Sequence, residues 1–298
     1  MQILSDIAEL RAALRKLRGD NRADPRSVGF VPTMGALHGG HLSLVRAARQ
    51  RCDIVVASIF VNPTQFAPNE DFSRYPRTLE QDCRMLEIEG VDVVFTPTAE
   101  EMYPSSASTF VEVQGIGERL DGVSRPGHFR AVATIVAKLF HIVQPEAAFF
   151  GQKDAAQLAV LRAMVRDLNF PIDVVVCPTV REPDGLAMSS RNRYLSPDER
   201  RQALSLSRAL LAAETLAKRG ERDAANLLQK MRAILQAESA VRVDYVAIID
   251  PDKLLPVEDV AEGALLAVAA YIGGTRLIDN ILLAPARRNA GVSGEKKS

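Results

Sequence analysis

The sequence predicts an α/β protein: a Rossmann-like, mostly parallel, doubly wound sheet followed by a second, smaller α+β unit at the C-terminal end. Three observations predict it. Short apolar runs rich in Val and Ile (27–33, 53–61, 91–97, 147–151 and 172–179) alternate with segments of helical periodicity up to about residue 180. The runs are almost continuously apolar, as strands are when helices cover both faces of a parallel sheet. Beyond Val180 the order changes to two helices and then three strand-like runs, the succession of an α+β unit.

Taken in order, Ile3, Ile7, Leu10, Leu14 and Leu17 fall at helical spacing, so 3–17 reads as an amphipathic opening helix. SVGFVPT (27–33) reads as a buried strand, HLSLVRAARQRC (41–52) as a helix and DIVVASIFV (53–61) as the next strand. Such a βαβ unit should have a right-handed crossover. TLEQDCRMLEIEG (78–90) is a helix closed by Gly90, and VDVVFTP (91–97) is another strand. A turn-rich stretch with a short strand, TFVEVQG (109–115), precedes a helix over 129–144. AAFFG (147–151), a helix over 154–169 and IDVVVCPT (172–179) complete the first unit. REPDGLAMSSRNRYLSPDER (181–200) is polar, turn-rich and basic. Helices over 198–218 and 222–238 and strands over 243–250, 264–273 and 275–283 follow. The expected division is 1–180, 181–285 and a disordered tail, 286–298.

Composition narrows the function. With 298 residues, 47% of them hydrophobic, there is ample material for a core. Lys plus Arg equals Asp plus Glu at 37 each, so the basic excess of a nucleic-acid binder is missing and no nucleic-acid partner is expected. Cys52, Cys83 and Cys177 are odd in number and form no Cys-x-x-Cys pair, which reads as free thiols. The N-terminus has no apolar h-region, and no run approaches the roughly 20 apolar residues of a membrane span. A cytoplasmic location and no membrane partner are expected.

Four segments carry chemistry-bearing residues. VPTMGALHGGHLSL (31–44) lies where a core strand opens into a helix, a place where open parallel sheets bind ligands. His38 and His41 would share one helix face, and Gly35, Gly39 and Gly40 let a phosphate approach the backbone. No Gly-Lys-Ser/Thr follows, so this is neither a Walker A loop nor GxGxxG. A metal pair is a competing reading, weakened because no Cys, Asp or Glu lies in the segment; plain surface histidines are another. LAMSSRNRYL (186–195) sets paired hydroxyls beside Arg191 and Arg193, donors suited to a polyphosphate, although alone it reads as a solvated polar loop.

FFGQKDAAQLAVLRAM (149–164) ends a buried strand, turns at Gly151 and sets Lys153 at a helix start. A cation there opposes the macrodipole and is better explained if an anion rests beside it. Asp154 reads either as a cap or as a ligand contact. In IFVNPTQFAPNEDFSRYPRTLEQD (59–82), Gln65 offers one amide on a stiff, apolar stretch, the way a pocket fixes a small polar substrate. Gln157, one turn beyond Asp154, would face the same crevice.

A basic loop facing a His-rich phosphate site is similar to the paired signatures of class I aminoacyl-tRNA synthetases and nucleotidyltransferases. The whole set, PTMGALHGGH, FVNPTQF, YPRT, RPGHF, FFGQKD, MSSRNRYL and GGTRLIDN, resembles the pantothenate synthetase (pantoate–β-alanine ligase) family over nearly the full chain. The resemblance implies a two-step, ATP-dependent reaction of (R)-pantoate with β-alanine that needs Mg²⁺. Pantoate carboxylate attacks the α-phosphorus and releases pyrophosphate; β-alanine then attacks the pantoyl adenylate and expels AMP.

Residue by residue, the resemblance implies that Met34, Gly35, Ala36, Leu37, His38, Gly39, Gly40 and His41 line the ATP site. His41 would be the proton donor and His38 a phosphate contact. Gly151, Gln152, Lys153, Asp154, the backbone of Val180, and Met188, Ser189, Ser190 and Arg191 would hold the nucleotide, with Lys153, Ser189, Ser190 and Arg191 sharing the catalysis. Gln65 and Gln157 would bind pantoate, Gln65 would also reach β-alanine, and Tyr75, Arg125 and His128 would be secondary contacts. No protein metal ligand is implied; Mg²⁺ would ride on the ATP phosphates. A homodimer is implied as well, with the apolar FVNP region offered as its contact. A nucleotidyltransferase of the same superfamily is the alternative. Three departures stand out: Gly39 occupies a position where bulkier residues are common, Ala155 and Ala156 replace larger polar residues, and Gln81 stands where an acid commonly precedes Asp82.

Overall fold

The computed structural model describes residues 1–19, 26–68 and 70–285. The chain runs β1 (Gln2–Leu4), α1 (Ile7–Arg18), β2 (Val28–Thr33), α2 (Gly39–Arg51), β3 (Ile54–Ile59), α3 (Leu79–Ile88), β4 (Val93–Phe95), α4 (Ala99–Met102), α5 (Asp121–Ser124) and α6 (His128–Val143). It continues through β5 (Ala147–Gly151), α7 (Ala155–Asp167), β6 (Asp173–Cys177), α8 (Pro197–Lys218), α9 (Ala224–Gln236), β7 (Val241–Ile249), β8 (Ala264–Ile272) and β9 (Thr275–Leu283).

The first six strands form one parallel sheet in the order β1-β4-β3-β2-β5-β6. Both of its faces are covered: Phe30, Ile54, Val93 and Ala148 are wholly buried, and one core packs them against α6. The opposite face buries Val31, Val55 and Val94 with Leu44 and Val45 of α2. Strand β2 sits at the middle, with Gly29 paired to Val55 on one side and to Ala147 on the other. The chain works outward from β2 through β3 and β4, then returns to β5 on the far side. The segments leaving β2 and β5 therefore diverge and open a crevice at their carboxyl ends, where open α/β sheets receive ligands.

The second sheet is antiparallel, β7-β8-β9, closed by a tight turn at Gly273–Gly274, and one hydrophobic core joins it to α8 and α9. Helix α8 starts sharply because Ser196 and Glu199 cap each other and Pro197 occupies the first turn.

Two expectations change. The opening helix starts at Ile7, because the Asp6 side chain accepts from Glu9 N–H at 2.9 Å and caps it there. Residues Gln2–Leu4 instead pair with β4 as an edge strand. The predicted strand at 109–115 is absent: Val111 N–H donates to the Thr134 hydroxyl of α6 at 2.9 Å, so a side chain replaces a ladder neighbour. In the FVNP region Phe60 is 7% and Asn62 0% exposed, while Val61 and Pro63 are half-buried. The tail 286–298 lies outside the described residues.

Candidate active site

The turn after β2 has a conformation that most residues resist. Gly35 has φ +77° and Ala36 φ +51°, a left-handed pair that aims successive backbone N–H groups inward. A buried carboxylate collects them: Asp82 on α3, 1% exposed, accepts from Ala36 N–H and Leu37 N–H at 2.9 Å each and from the Thr78 hydroxyl at 3.1 Å. Three donors offset the cost of burying this carboxylate. Gly35 is required for a second reason, since a side chain there would press on Asp82 Oδ2 at 3.0 Å.

From this strut the chain enters α2. His38 is the N-cap, its Nδ1 accepting from Gly40 N–H at 3.2 Å, and His41 Nδ1 accepts from His38 N–H at 3.3 Å. The two rings lie 4.1 Å apart between centroids. Burial lowers both, with Lys153 adding to the effect: His38 falls to about 4 and His41 to about 3, where His38 contributes as well. Both imidazoles are therefore neutral at pH 7. Because each Nδ1 accepts, each proton sits on Nε2, and the helix start presents two uncharged ring N–H donors together with its own first-turn amides.

Across the crevice, Gly151 ends β5 and a single 3₁₀ turn, Gln152–Asp154, leads into α7. Lys153 is 20% exposed, with Nζ 4.0 Å from Asp154 Oδ1. Asp154 occupies the N-cap position of α7 but makes no side-chain cap hydrogen bond there. The Gln152 amide faces the second sheet, donating to Asn280 Oδ1 at 2.9 Å, while the Val180 carbonyl accepts from Met188 N–H at 2.9 Å.

The 186–195 segment is folded onto the site. Arg191 uses Nε and Nη2 to grip both Asp71 oxygens at 3.1 Å. Tyr75, buried and with its hydroxyl raised above the usual range by that burial, lies beside Ser190, and Tyr194 donates to Arg74 O at 3.3 Å. Burial works against the Asp71 carboxylate, but Arg191 holds it below the ordinary range. Met188 lies against the start of α2: a side chain on Gly39 would meet its Sδ at 3.2 Å. The small residue at this departure is what admits the methionine. Lys153, Ala187 and Ser189 line one small cleft, Lys153 is near enough to His38 and His41 to help depress both, and Met188 packs over Gly39 between them.

Gln65 lies in a 3₁₀ turn capped by the buried Asn62. Its carbonyl accepts from Arg125 Nη2 at 3.1 Å and from His128 Nδ1 at 3.0 Å. Arg125 also grips Glu70 at 2.6 and 2.7 Å and donates to His128 Nε2 at 2.8 Å. Accepting at Nε2 and donating at Nδ1 requires a neutral ring, and burial, with Arg125 beside it, lowers His128 to about 4. Arg125 and His128 thus fix the backbone of Gln65. The side-chain amides of Gln65 and Gln157 find no partner among the described residues and are free to bind a ligand.

Asp82, Asp71, Arg181, Asp279 and Asn280 carry no local signal of a role. Each acts on a partner that the fold brings to it, and only the motif GGTRLIDN marks the last two. Among the described residues no three His, Cys, Asp or Glu side chains converge to hold a metal ion.

Comparison with known proteins matches residues 2–282 to the Pantoate-beta-alanine ligase family model. A pantothenate synthetase from Acidobacterium capsulatum is 64% identical over 292 residues, covering 95% of this chain and 97% of that one. The pantothenate synthetase structure from Thermus thermophilus superimposes with TM-score 0.90 at 51% identity, covering 96% of this chain and all of that one. A pantoate-beta-alanine ligase from Francisella tularensis, described as complexed with beta-gamma ATP and β-alanine, gives TM-score 0.76 at 34% identity over 95% and 97% of the two chains. On this sequence match, on the shared fold and on the site it builds, the chain belongs to the pantoate–β-alanine ligase family, and it is an ATP-dependent ligase that makes pantothenate from pantoate and β-alanine.

Proposed function

We propose that the crevice at the β2/β5 switch point carries out both half-reactions, with its donors divided between a triphosphate and a small hydroxy acid. What supports this reading is that two unlike sets stand on linked segments: Gln157 lies one turn beyond Lys153, and Gln65 is held by Arg125, whose partner Glu70 precedes Asp71, the partner of Arg191. His38, His41, Lys153, Ser189 and the α2 amides suit phosphate oxygens, while the unpaired amides of Gln65 and Gln157 suit a compact polar acid. Activation of a carboxylate needs these two neighbours in one site.

In the first step a pantoate carboxylate oxygen attacks the α-phosphorus of ATP, and the bond to the bridging oxygen breaks as pyrophosphate leaves. His38 and His41 donate hydrogen bonds from Nε2 to the phosphate oxygens; the low pKa of His41 makes it a hydrogen-bond donor rather than a source of a full proton. Lys153 neutralises charge on the departing pyrophosphate, and Met34–Leu37 and Gly151 let the nucleotide lie against the backbone. Ser189, Ser190 and Arg191 close over the phosphates, Arg191 through Nη1 while Nε and Nη2 stay on Asp71. Catalysis of this kind is positioning and electrostatics.

In the second step the β-alanine amine attacks the pantoyl carbon near Gln65, loses a proton to solvent, and AMP leaves with its oxygen. The seated 186–195 segment shields the mixed anhydride from water. For Mg²⁺ the described residues build no cage: both Asp82 oxygens are occupied by Ala36, Leu37 and Thr78. The ion would arrive on the ATP phosphates. A boundary at 180/181, a homodimer and a cytoplasmic location complete the proposal; the first is supported by the change of sheet between β6 and β7, and the other two rest on the family resemblance.

The test is stoichiometric. ATP, pantoate and β-alanine together should give AMP and pyrophosphate one for one, and leaving out pantoate should abolish pyrophosphate release. Release without pantoate, or ADP as the product, would sink this reading and favour a nucleotidyltransferase or kinase.

A further inference from the structure

Strand β9 brings two adjacent polar residues, Asp279 and Asn280, 3% and 4% exposed, to the junction between the two sheets. Every hydrogen-bonding group on the Asn280 side chain is used across that junction. Its Nδ2 donates to Gln152 O at 3.0 Å and to Lys153 O at 2.8 Å, and its Oδ1 accepts from Gln152 Nε2 at 2.9 Å. Its backbone N–H donates to Asp279 Oδ1 at 2.8 Å. Asp279 in turn holds Arg181 by two bonds, 2.6 and 3.0 Å, and Arg181 Nη1 also donates to Gly185 O at 3.1 Å. Arg181 opens a narrow hairpin: Arg181 bridges Ala187, and Glu182 N–H donates to Leu186 O at 2.8 Å. Met188 and Ser189 follow directly from it.

One dipeptide therefore grips the two backbone segments that carry Lys153 and the 188–191 turn, segments that are distant in sequence. A lysine has a long flexible side chain, so its direction depends on how its root is held, and Asn280 bonds the two carbonyls that flank the Lys153 Cα, Gln152 O and Lys153 O. A buried amide with all its donors and its acceptor satisfied in one geometry is a rigid link, because any other arrangement leaves a polar group orphaned.

We propose that Asn280, held by the Asp279–Arg181 pair, is a positioning residue for adenylate formation: it sets Lys153 against the phosphates and in register with Ser189. This rests on the role given above to Lys153. It requires Asn280 to act through Lys153, which a double-mutant cycle measures directly.

The rate to follow is pantoate-dependent exchange of pyrophosphate into ATP by the full chain, for the single variants Asn280→Ala and Lys153→Ala and for the double variant. Asn280→Ala alone should slow exchange by about 10-fold or more, and should slow it less than about 2-fold further once Lys153 is gone. Equal factors in both backgrounds, or no effect of Asn280→Ala in the parent chain, overturn the proposal. If Lys153→Ala itself leaves exchange unchanged, the role of Lys153 fails first, and this inference falls with it for a reason that can be told apart. Should Asn280→Ala fail to fold, Asn280→Ser, which keeps one donor, enters the same cycle, read by the same two factors.

Discussion

Among single side chains, the catalytic candidates and their supports make different predictions. His41→Ala or Lys153→Ala removes a donor aimed at developing phosphate charge and should lower turnover by roughly 10²–10³ with little change in folding. Wild-type rates in either variant remove that residue from the mechanism. Asp82→Asn replaces one acceptor with an NH₂ group in a space where three donors already converge. A buried amide is then left unpaired, at a cost of about 1–3 kcal/mol. Denaturant unfolding should show that loss together with a raised KM for ATP, because the turn that leads to His38 loosens. A stability loss with an unchanged KM for ATP would confine Asp82 to the scaffold.

Elements show how much of this was legible in the sequence. Strands β2, β3, β5 and β6 and helices α2, α6, α7 and α8 stand close to where periodicity puts them, because each buries a continuous apolar run or a clear stripe. Strand β1 was not legible: three residues are too few for a period, and Ile3 fits the helical spacing of Leu10 and Leu14 just as well. The segment around Val111 has the alternation of a strand, yet the hydroxyl of Thr134, 23 residues on, takes the bond a neighbouring strand would have made. The site followed the same rule. His38, His41, Lys153 and the MSSR run are local motifs; Asp71, Asp82 and Asn280 work only through partners that folding brings to them.

The 186–195 segment carries the prediction that belongs to this scale. It is tethered by both Arg191 bonds to Asp71, so Asp71→Ala should free it. Trypsin should then cut after Arg191 or Arg193 about 5–10-fold faster than in the parent chain. Unchanged cleavage would mean that the tether does not hold the segment.

For the molecule as a whole, three histidines are held neutral. His38, His41 and His128 have values of about 4, 3 and 4, against 6.5 in an unfolded chain. Between pH 6.5 and about 4 the unfolded chain therefore binds protons that the folded chain refuses, and stability falls as the pH falls. Each ring contributes on the order of 1–3 kcal/mol of lost stability by the bottom of that window. Melting curves at about pH 7, 6 and 5 should show a steady decline in Tm. A Tm that stays constant across that range would mean that the rings accept charge where they stand.

The strand order also fixes a sequence of events during synthesis. Strand β1 leaves the ribosome about ninety residues ahead of its partner β4. At ordinary elongation rates of about 5–20 residues per second, it waits several seconds for its place. The central strand β2 waits longer for its second neighbour, since Gly29 pairs with Ala147. The pieces of the crevice arrive in the order β2, β5, 188–191, and the Asp279–Asn280 pair, which links the last two through Arg181 and Lys153, is made about ninety residues after Arg191. A nascent chain of this protein therefore carries its histidines and its lysine long before it can bring them together, and gains a working site only once β9 has been made.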